Sequence, residues 1–276
     1  MEDKTTQPVP AQASNLTGNS GVPPKKNRMY PEIIIPNNTN PNKLYAFPVI
    51  GLVIKFIMLI PAYIIAALLS FVCGIFWIIT PFVILFTGKY WNTAYNLVMN
   101  YFIYTTKIQF FLMGITDKYP GFSLETNGIF ELHLPKPESP SRFLGFPLLG
   151  LLIRIILLIP YYIYQAVLQY GMYIATVASW FGVWIKGTYP ESLYEFNKDF
   201  VRVQIAYGSY LFYLSDTYPS FHISLNHKKI KILLIVLGTA LAVLDLSTQI
   251  NNDIKAFQNP PTYNHSSGAN SAGSNQ

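Results

Sequence analysis

Residues 117–122 of this chain, Asp117-Lys118-Tyr119-Pro120-Gly121-Phe122, occur a second time as residues 216–221, Asp216-Thr217-Tyr218-Pro219-Ser220-Phe221. The two stretches are 99 positions apart, and the same offset, without a gap, aligns the segments that surround them. Among the aligned pairs are Lys55 with Arg154, Leu59-Ile60-Pro61 with Leu158-Ile159-Pro160, and Gly88-x-Tyr90 with Gly187-x-Tyr189. The sequence therefore predicts a tandem duplication of one unit of about a hundred residues.

Composition places the chain among membrane proteins. Charged residues make up 12% of the sequence and hydrophobic residues 51%, whereas soluble domains carry about twice that share of charge. Apolar tracts cover residues 47–85, 146–185 and 232–244, as in chains that cross a bilayer. Much of the net charge of +6 lies beside these tracts. We therefore expect anionic membrane lipid as a partner, and no nucleic acid.

The chain divides into five predicted parts. Residues 1–30 are rich in Pro, Asn, Thr and Ser, which indicates disorder. They have no apolar core of the kind a cleavable secretion signal needs. The first membrane repeat covers residues 31–129 and the second covers 130–229. A C-terminal transmembrane helix occupies residues 230–250, and a disordered polar tail covers 251–276.

The first apolar tract is too long for one simple crossing. As a single helix its 39 residues would measure about 58 Å, nearly twice the thickness of a hydrocarbon core. We expect a bend at Pro61, with Phe47–Ile60 in the interface, the Lys55 ammonium reaching the headgroups, and residues 62–86 crossing. The second copy is expected to do the same with Arg154 and Pro160. The alternative places a turn near Ser70–Gly74 and gives two crossings.

A third helical stretch follows in each copy. Residues 93–115 could cross the bilayer in the first copy. In the second copy the first half of this helix carries Glu195, Lys198, Asp199 and Arg202. Because charges are costly in lipid, that half must lie outside the membrane or face a neighbour, with ion pairs at i,i+3 neutralising it.

Four short segments have strand character: Glu32–Ile35, Phe122–Glu125, Ile129–Leu134 and Phe221–Leu225. Asn127-Gly128 between the second and third of them is a hairpin signal. We predict a small antiparallel sheet outside the bilayer, because a membrane core would leave its edges without hydrogen-bond partners.

The predicted fold class is therefore mainly α: a polytopic helical membrane protein. Each repeat has an interfacial helix and two transmembrane helices, and a C-terminal transmembrane helix follows. The distribution of Lys and Arg favours the cytoplasmic (inner) membrane, with the N-terminus and the sheet in the cytoplasm and the C-terminus outside. Two crossings per repeat make the copies parallel. Three crossings would invert them, as in many transporters, but would place Lys118, Lys136 and Arg142 outside.

The repeated motifs have structural explanations. Gly88 and Gly187 permit tight turns at a membrane face, and the tyrosines that follow suit interfacial anchors. An aspartate at a helix C-terminus opposes the macrodipole, so each needs compensation from N–H groups of the following Tyr-Pro turn or from a cation. We hypothesise Lys55–Asp117 and Arg154–Asp216 pairs that act as structural staples or, alternatively, as ion or lipid sites. The residues concerned are Lys55, Gly88, Tyr90, Asp117, Tyr119, Pro120, Arg154, Gly187, Tyr189, Asp216, Tyr218 and Pro219.

Two of these motifs carry a resemblance. Leu85-Phe86-Thr87-Gly88-Lys89-Tyr90, followed by Ile115-Thr116-Asp117-Lys118-Tyr119-Pro120-Gly121-Phe122-Ser123-Leu124, resembles a bacterial membrane family of unknown function that reads F-T-G-R-Y-P and later L-T-D-R-Y-P-P-F. The resemblance covers residues 47–125 well and 146–224 more loosely. The family usually carries two basic residues four apart in the third helix; Lys107 matches the later position and Arg202 the earlier. The resemblance implies no enzyme activity.

The sequence contains no nucleotide-binding loop, nucleophile elbow or zinc-protease motif, and its four histidines lack ligand spacing, so we expect no catalytic residue, cofactor or metal. The leading hypothesis is a non-enzymatic structural or accessory component that binds lipid, other membrane proteins or itself. The rival is a transporter or channel, which needs a continuous polar path through Lys107, Thr105, Gln109, Arg202 and Gln204. An enzyme would need a pocket that gathers Asp216, His222 and a nucleophile.

Overall fold

The computed structural model describes residues 31–35, 41–47, 49–134, 136–221, 223–224 and 226–258. The elements, in chain order, are β1 (Glu32–Ile34), α1 (Ile50–Thr87), α2 (Asn92–Met113), β2 (Glu131–His133), α3 (Leu149–Lys186), α4 (Glu191–Leu211) and α5 (Lys228–Gln258). The prediction of disorder for residues 1–30 and for the tail beyond residue 258 lies outside the described residues.

The two long helices run without interruption. Helices α1 and α3 have 38 residues each, which corresponds to about 57 Å. Helix α1 continues through Pro61 and helix α3 through Pro160, so no break separates an interfacial segment from a crossing segment. The alternative turn at Ser70–Gly74 is wrong, because these residues are helical.

The entry into each long helix requires glycine. A Cβ atom at Gly51 would lie 2.5 Å from the carbonyl oxygen of Tyr45, and one at Gly150 would lie 2.4 Å from that of Leu144. Both distances are far below van der Waals contact, and the neighbouring atoms belong to the backbone. The loop before each long helix therefore folds closely over its first turn, in the same way in both copies.

Each long helix packs antiparallel to the short helix that follows it. In the first copy Leu59 is in a cluster with Phe111, while Cys73, further along α1, lies 3.8 Å (Sγ to O) from the carbonyl of Leu97. In the second copy Arg154 bonds to Tyr210 and Tyr161 bonds to Val203, so a later residue of α3 again contacts an earlier residue of α4. Each repeat is therefore a helical hairpin, α1/α2 and α3/α4.

The two hairpins contact each other reciprocally. The Tyr90 hydroxyl, just before α2, donates to the carbonyl of Phe212 just after α4 at 2.9 Å. Its equivalent Tyr189, just before α4, donates to Met113 at the end of α2 at 3.3 Å. Helices α2 and α4 therefore run antiparallel, and an approximate two-fold axis perpendicular to them exchanges the copies. The parallel arrangement expected from the sequence is wrong with respect to helix direction.

The sheet lies on this two-fold axis. Strands β1 and β2 pair antiparallel, with Ile33 opposite Leu132, its own equivalent in the other copy. Only these two of the four predicted strands form within the described residues. Asn127-Gly128 does make a turn, with φ of 51° and 67°. However, Phe122–Glu125 is not a strand, because its carbonyl groups accept hydrogen bonds from Lys107 instead. In the fourth segment Phe221, Ile223 and Ser224 are not in a strand; its other two residues lie outside the described part.

Three helices of the described chain, α1, α3 and α5, are long and apolar enough to cross a membrane. Their outward side chains are apolar and exposed along most of their length, which indicates association with a membrane. Helices α2 and α4, predicted as second crossings, are not among these candidates. Helix α5 packs on α3 and α4 and continues to Gln258, so the predicted disorder is wrong for residues 251–258.

Candidate functional site

The two repeated aspartates hold the ends of each hairpin together. Asp117 Oδ2 accepts the backbone N–H of Asn42 at 2.6 Å, and Asp216 Oδ2 accepts that of Ser141, also at 2.6 Å. Each bond joins the end of a short helix to the loop before the long helix of the same copy. Part of the compensation that the sequence analysis expected from N–H groups or from a cation is thus a backbone N–H of that loop.

Arg154 occupies a closed site. Its side chain is buried, and its guanidinium forms an ion pair with Asp216. It also donates from Nε to the carbonyl of Leu144 at 3.2 Å, and from Nη1 to Tyr210 at 2.7 Å and Ser215 at 3.0 Å. The rings of Tyr210 and Tyr213 lie 4.7 and 4.6 Å from Cζ. The arginine is held by four acceptors and two aromatic rings, as a structural staple would be.

Lys55 lies at the equivalent position but in a looser site. Its side chain is 1% exposed, so the predicted reach to the lipid headgroups is wrong. The ammonium nitrogen is 5.7 Å from the ring centres of Phe111 and Trp180, and Asp117 is the carboxylate whose charge acts on it. Lys55, Asp117 and Trp180 line a small cavity, and the indole N–H of Trp180 is buried without a hydrogen-bond partner among the described residues.

The Tyr-Pro motif supports both aspartate sites by packing. The Tyr119 ring meets Phe111 edge-on at 6.1 Å, and its equivalent Tyr218 meets Tyr210 at 6.0 Å. Pro120 and Pro219 are both buried. Because each ring packs against a residue that also contacts the buried cation of its copy, the motif forms one wall of the cation site.

The Gly-x-Tyr motif joins the two copies. Gly88 and Gly187 end α1 and α3 in the left-handed conformation, with φ of 67° and 76°. Tyr90 and Tyr189 were predicted as interfacial anchors, but their hydroxyls bond to the opposite hairpin, and Tyr90 is 3% exposed. Burial raises the pKa of the Tyr90 phenol and raises that of Tyr189 to about 12. Both tyrosines therefore stay neutral hydrogen-bond donors.

Lys107 turns away from the predicted polar path. Its ammonium is fully buried and donates to the carbonyls of Ser123 at 2.6 Å and Glu125 at 3.0 Å. Burial lowers the pKa of Lys107, and the charge of Glu125 opposes this shift. The lysine fixes the irregular segment that follows α2.

Arg202 belongs to a different cluster, which sequence reasoning found only in part. Its guanidinium contacts Asp199 at 3.4 Å and the carbonyl of Ile33 at 3.3 Å. Asp199 Oδ2 also accepts hydrogen bonds from the Lys231 ammonium at 2.5 Å and from the Ser224 hydroxyl at 2.9 Å. This buried cluster connects β1, α4 and the start of α5. The i,i+3 pair was predictable from spacing, whereas no sequence pattern indicated Lys231 or Ser224.

A cavity of about 340 Å³ lies between α2 and α4, beside Gln165 of α3. Thr105, Gln109 and Gln204 of the predicted polar path line it, and the two glutamine amides are bonded at 2.7 Å. The side-chain carbonyl of Gln165 is buried there without a partner. The structure thus brings together the uncharged members of that path and separates Lys107 and Arg202 from them.

No group of three or more His, Cys, Asp or Glu side chains able to hold a metal ion occurs in the described part of the chain. Asp216, one residue of the hypothetical catalytic pocket, is engaged by Arg154, and His222 lies outside the described residues. The buried side chains of Lys107, Arg154 and Asp199 bond to other segments of the described chain.

Comparison with known proteins gives one match. A family model described as "Domain of unknown function (DUF4389)" matches residues 50–123 and, a second time, residues 149–222. Together the two copies cover more than half of the chain, and they coincide with the two helical hairpins and the Asp-x-Tyr-Pro segments. Neither a curated protein nor a solved structure matches the sequence.

Proposed function

This chain belongs to the DUF4389 family, and because that domain has no assigned function, we propose a role from its geometry: a non-enzymatic structural or accessory component of a membrane that binds anionic lipid. Acyl chains would cover the exposed apolar faces of α1 and α3, while basic side chains at the helix ends would bind headgroups. The same apolar faces would offer contact area to other membrane proteins or to a second copy.

One observation supports this function above all. Helices α1–α4 form a layer, and exposed basic side chains occur at both of its ends, beside exposed apolar helix faces. The Arg142 guanidinium lies against Gly88 at the end of α1, and the Lys43 side chain lies against Gly187 at the end of α3. Lys89 and Lys186 are exposed at the same two ends. A basic residue near an anionic surface contributes about 1 kcal/mol, so four of them suffice for a clear lipid preference.

The buried charges support a non-enzymatic role. The Arg154, Lys107 and Lys231 cations each donate to two or more protein acceptors. A catalytic group needs free access to a reacting atom, whereas these groups are sealed among protein atoms. We therefore interpret them as staples of the fold.

Transport remains the second candidate, because the cavity between α2 and α4 gathers Thr105, Gln109 and Gln204. The geometry favours it less, since the two charged members of the predicted path bind acceptors elsewhere: Lys107 donates to the carbonyl of Ser123 and Arg202 to that of Ile33. A cytoplasmic N-terminus, an outer C-terminus and a place in the inner membrane also belong to the proposal, and they rest on the distribution of Lys and Arg.

Lipid-dependent stability tests the proposed function. We would measure the unfolding temperature of the purified protein in nanodiscs of zwitterionic lipid and of zwitterionic lipid mixed with an anionic lipid. We expect the anionic mixture to raise the unfolding temperature of the wild type. The quadruple variant Lys43→Gln, Lys89→Gln, Arg142→Gln, Lys186→Gln should lose most of this increase, because its headgroup contacts are gone.

A matched control keeps the charge. The quadruple variant with Lys43→Arg, Lys89→Arg, Arg142→Lys and Lys186→Arg should retain the preference for anionic lipid. If the neutralised variant responds to anionic lipid as strongly as the wild type does, these residues do not bind headgroups and the proposed function is wrong.

A further inference from the structure

The sheet is positioned beside the middle of α2 and α4, and not beyond their ends. The segment that contains β2 follows α2 backwards: the Phe130 ring packs on Phe110 at 5.3 Å, and the carbonyl of Leu134 accepts the Tyr95 hydroxyl at 2.6 Å. The two helix positions that it contacts, 95 and 110, are about 22 Å apart along α2, so the segment lies beside the helix between them. By the two-fold relation, Tyr194 of α4 donates to the carbonyl of Ile35 after β1 at 3.1 Å.

The outer face of this sheet is charged. The side chains of Glu131 and His133 are 67% and 63% exposed, and Glu32 is exposed as well. If α2 and α4 stood along the membrane normal, these side chains would lie near the level of the bilayer centre. Ionisable groups exposed to hydrocarbon cost several kcal/mol or more each. The short helices therefore do not stand upright in the bilayer.

Helices α1 and α3 share the direction of the short helices, because each packs along the short helix that follows it. At one end of the first hairpin Lys55 lies over Phe111, and near its middle Cys73 contacts Leu97. A length of about 57 Å is far in excess of the hydrocarbon thickness of about 30 Å. Lying in the membrane plane removes that mismatch.

The charges at the helix ends agree with this direction. One end of the layer carries Lys43 and Lys186, and the other carries Lys89 and Arg142, all exposed. In an upright arrangement two of these residues would face each side of the membrane. In a flat arrangement all four lie at one level, where anionic headgroups are found.

We propose that helices α1–α4 lie flat in a single leaflet, with the two-fold axis along the membrane normal, the sheet in water and the exposed faces of α1 and α3 among acyl chains. The partner of this surface is thus the half-bilayer itself. The two copies then present the same side to the membrane although their helices are antiparallel. This proposal rests on membrane association, but not on the preference for anionic lipid.

Side-specific labelling tests the arrangement. Lys89 and Thr188 are equivalent positions, both exposed, at opposite ends of the layer. We would introduce Lys89→Cys, Thr188→Cys and Glu131→Cys singly into a Cys73→Ala background and express each in cells. Labelling with a membrane-impermeant maleimide would then be compared between intact and permeabilised cells. We expect the three positions to label from one and the same side.

Labelling of Lys89→Cys and Thr188→Cys from opposite sides would overturn the proposal, because α1 and α3 would then cross the bilayer. The proposal would also be overturned if Lys89→Cys and Thr188→Cys label from one side and Glu131→Cys labels from the other. Monodisperse elution in detergent confirms that each variant is folded. This outcome is independent of the lipid measurement: an anionic-lipid preference that persists in the neutralised quadruple variant would refute headgroup binding and leave the labelling pattern unchanged.

Discussion

At the scale of single residues, the repeat places Arg154 and Lys55 at equivalent positions, but the two cations differ in the contacts that they make. Arg154 uses its planar guanidinium to reach three carbonyls and a carboxylate at once. Lys55 is a point charge and lies between two aromatic rings near Asp117. Because a lysine cannot reproduce the fork of an arginine, we expect the second copy to depend on its cation more than the first does.

Substitution of Arg154 should therefore be the more damaging change. Arg154→Gln leaves Asp216 without its buried partner, a loss of about 3–5 kcal/mol in the free energy of unfolding. Arg154→Lys should lie between this variant and the wild type, and Lys55→Gln should cost less than Arg154→Gln. Chemical unfolding in detergent measures all three.

The exposed Arg142 offers the control for removing one positive charge. Arg142→Gln should leave stability in detergent within about 0.5 kcal/mol of the wild type, as is usual for surface substitutions. If Arg154→Gln is as stable as Arg142→Gln, the staple interpretation fails.

Sequence reasoning reached some of these contacts and missed others for a definite reason. The Arg154–Asp216 pair was predicted because both charges were expected at the same face of the membrane, and the structure contains it. The hydrogen bonds of Lys107 could not be predicted, because its acceptors are backbone carbonyls of Ser123 and Glu125 in an irregular segment. Backbone acceptors exist at every residue and therefore leave no pattern in the sequence.

At the scale of the elements, α5 is the one helix with no counterpart in the repeat, and two features attach it to α3 and α4. Gly238 lies directly against Gly171 and Val167 of α3, and Lys231 enters the Asp199 cluster of α4. Small residues allow the close approach of two helices, and the buried ion pair fixes the position of α5 along its neighbours.

A larger side chain at Gly238 should detach α5 from α3. A Cβ atom there would already lie 2.7 Å from backbone atoms of Gly171 and Val167, so Gly238→Leu cannot be accommodated without separation of the helices. We expect hydrogen exchange in residues 228–258 to accelerate at least tenfold, while exchange in α1 and α2 stays unchanged.

Ala240→Leu adds a similar volume at an exposed position of the same helix and serves as the control. It should leave hydrogen exchange unaltered. Equal exchange in the two variants would show that the close contact between Gly238 and Gly171 does not hold α5 in place.

The helices could be predicted from the sequence more accurately than the strands. Both ends of α2 lie within two residues of the predicted stretch 93–115, whereas α5 extends eight residues beyond its predicted end at residue 250. The strand predicted at Phe122–Glu125 does not form, because the segment has a competing partner in Lys107, and alternation alone does not reveal such competition. The continuity of α1 through Pro61 also differs from the prediction, because the break that an interior proline favours does not occur in this helix.

At the scale of the whole molecule, the 99-residue offset implies two equivalent units but not their relative direction. That direction is determined by tertiary contacts such as the reciprocal bonds of Tyr90 and Tyr189. The sequence suggested upright, parallel copies because apolar length was equated with crossing. The structure places a charged sheet beside the middle of the helices, and this feature changes the inferred relation of the chain to the membrane.

Depth measurement along α1 tests the central claim most directly. Ile57, Leu68 and Ile79 are exposed and lie on one face of the helix, because their spacing of 11 residues is close to three turns; the first and last are about 33 Å apart. Spin labels would be attached to single cysteines at these positions in a Cys73→Ala background, and their depth in reconstituted bilayers measured by collision with oxygen and with a water-soluble nickel complex. We predict that all three labels lie in lipid at one depth, within a few ångströms. A deep label at position 68 with shallow labels at 57 and 79 would show that α1 crosses the bilayer, and would contradict the flat arrangement.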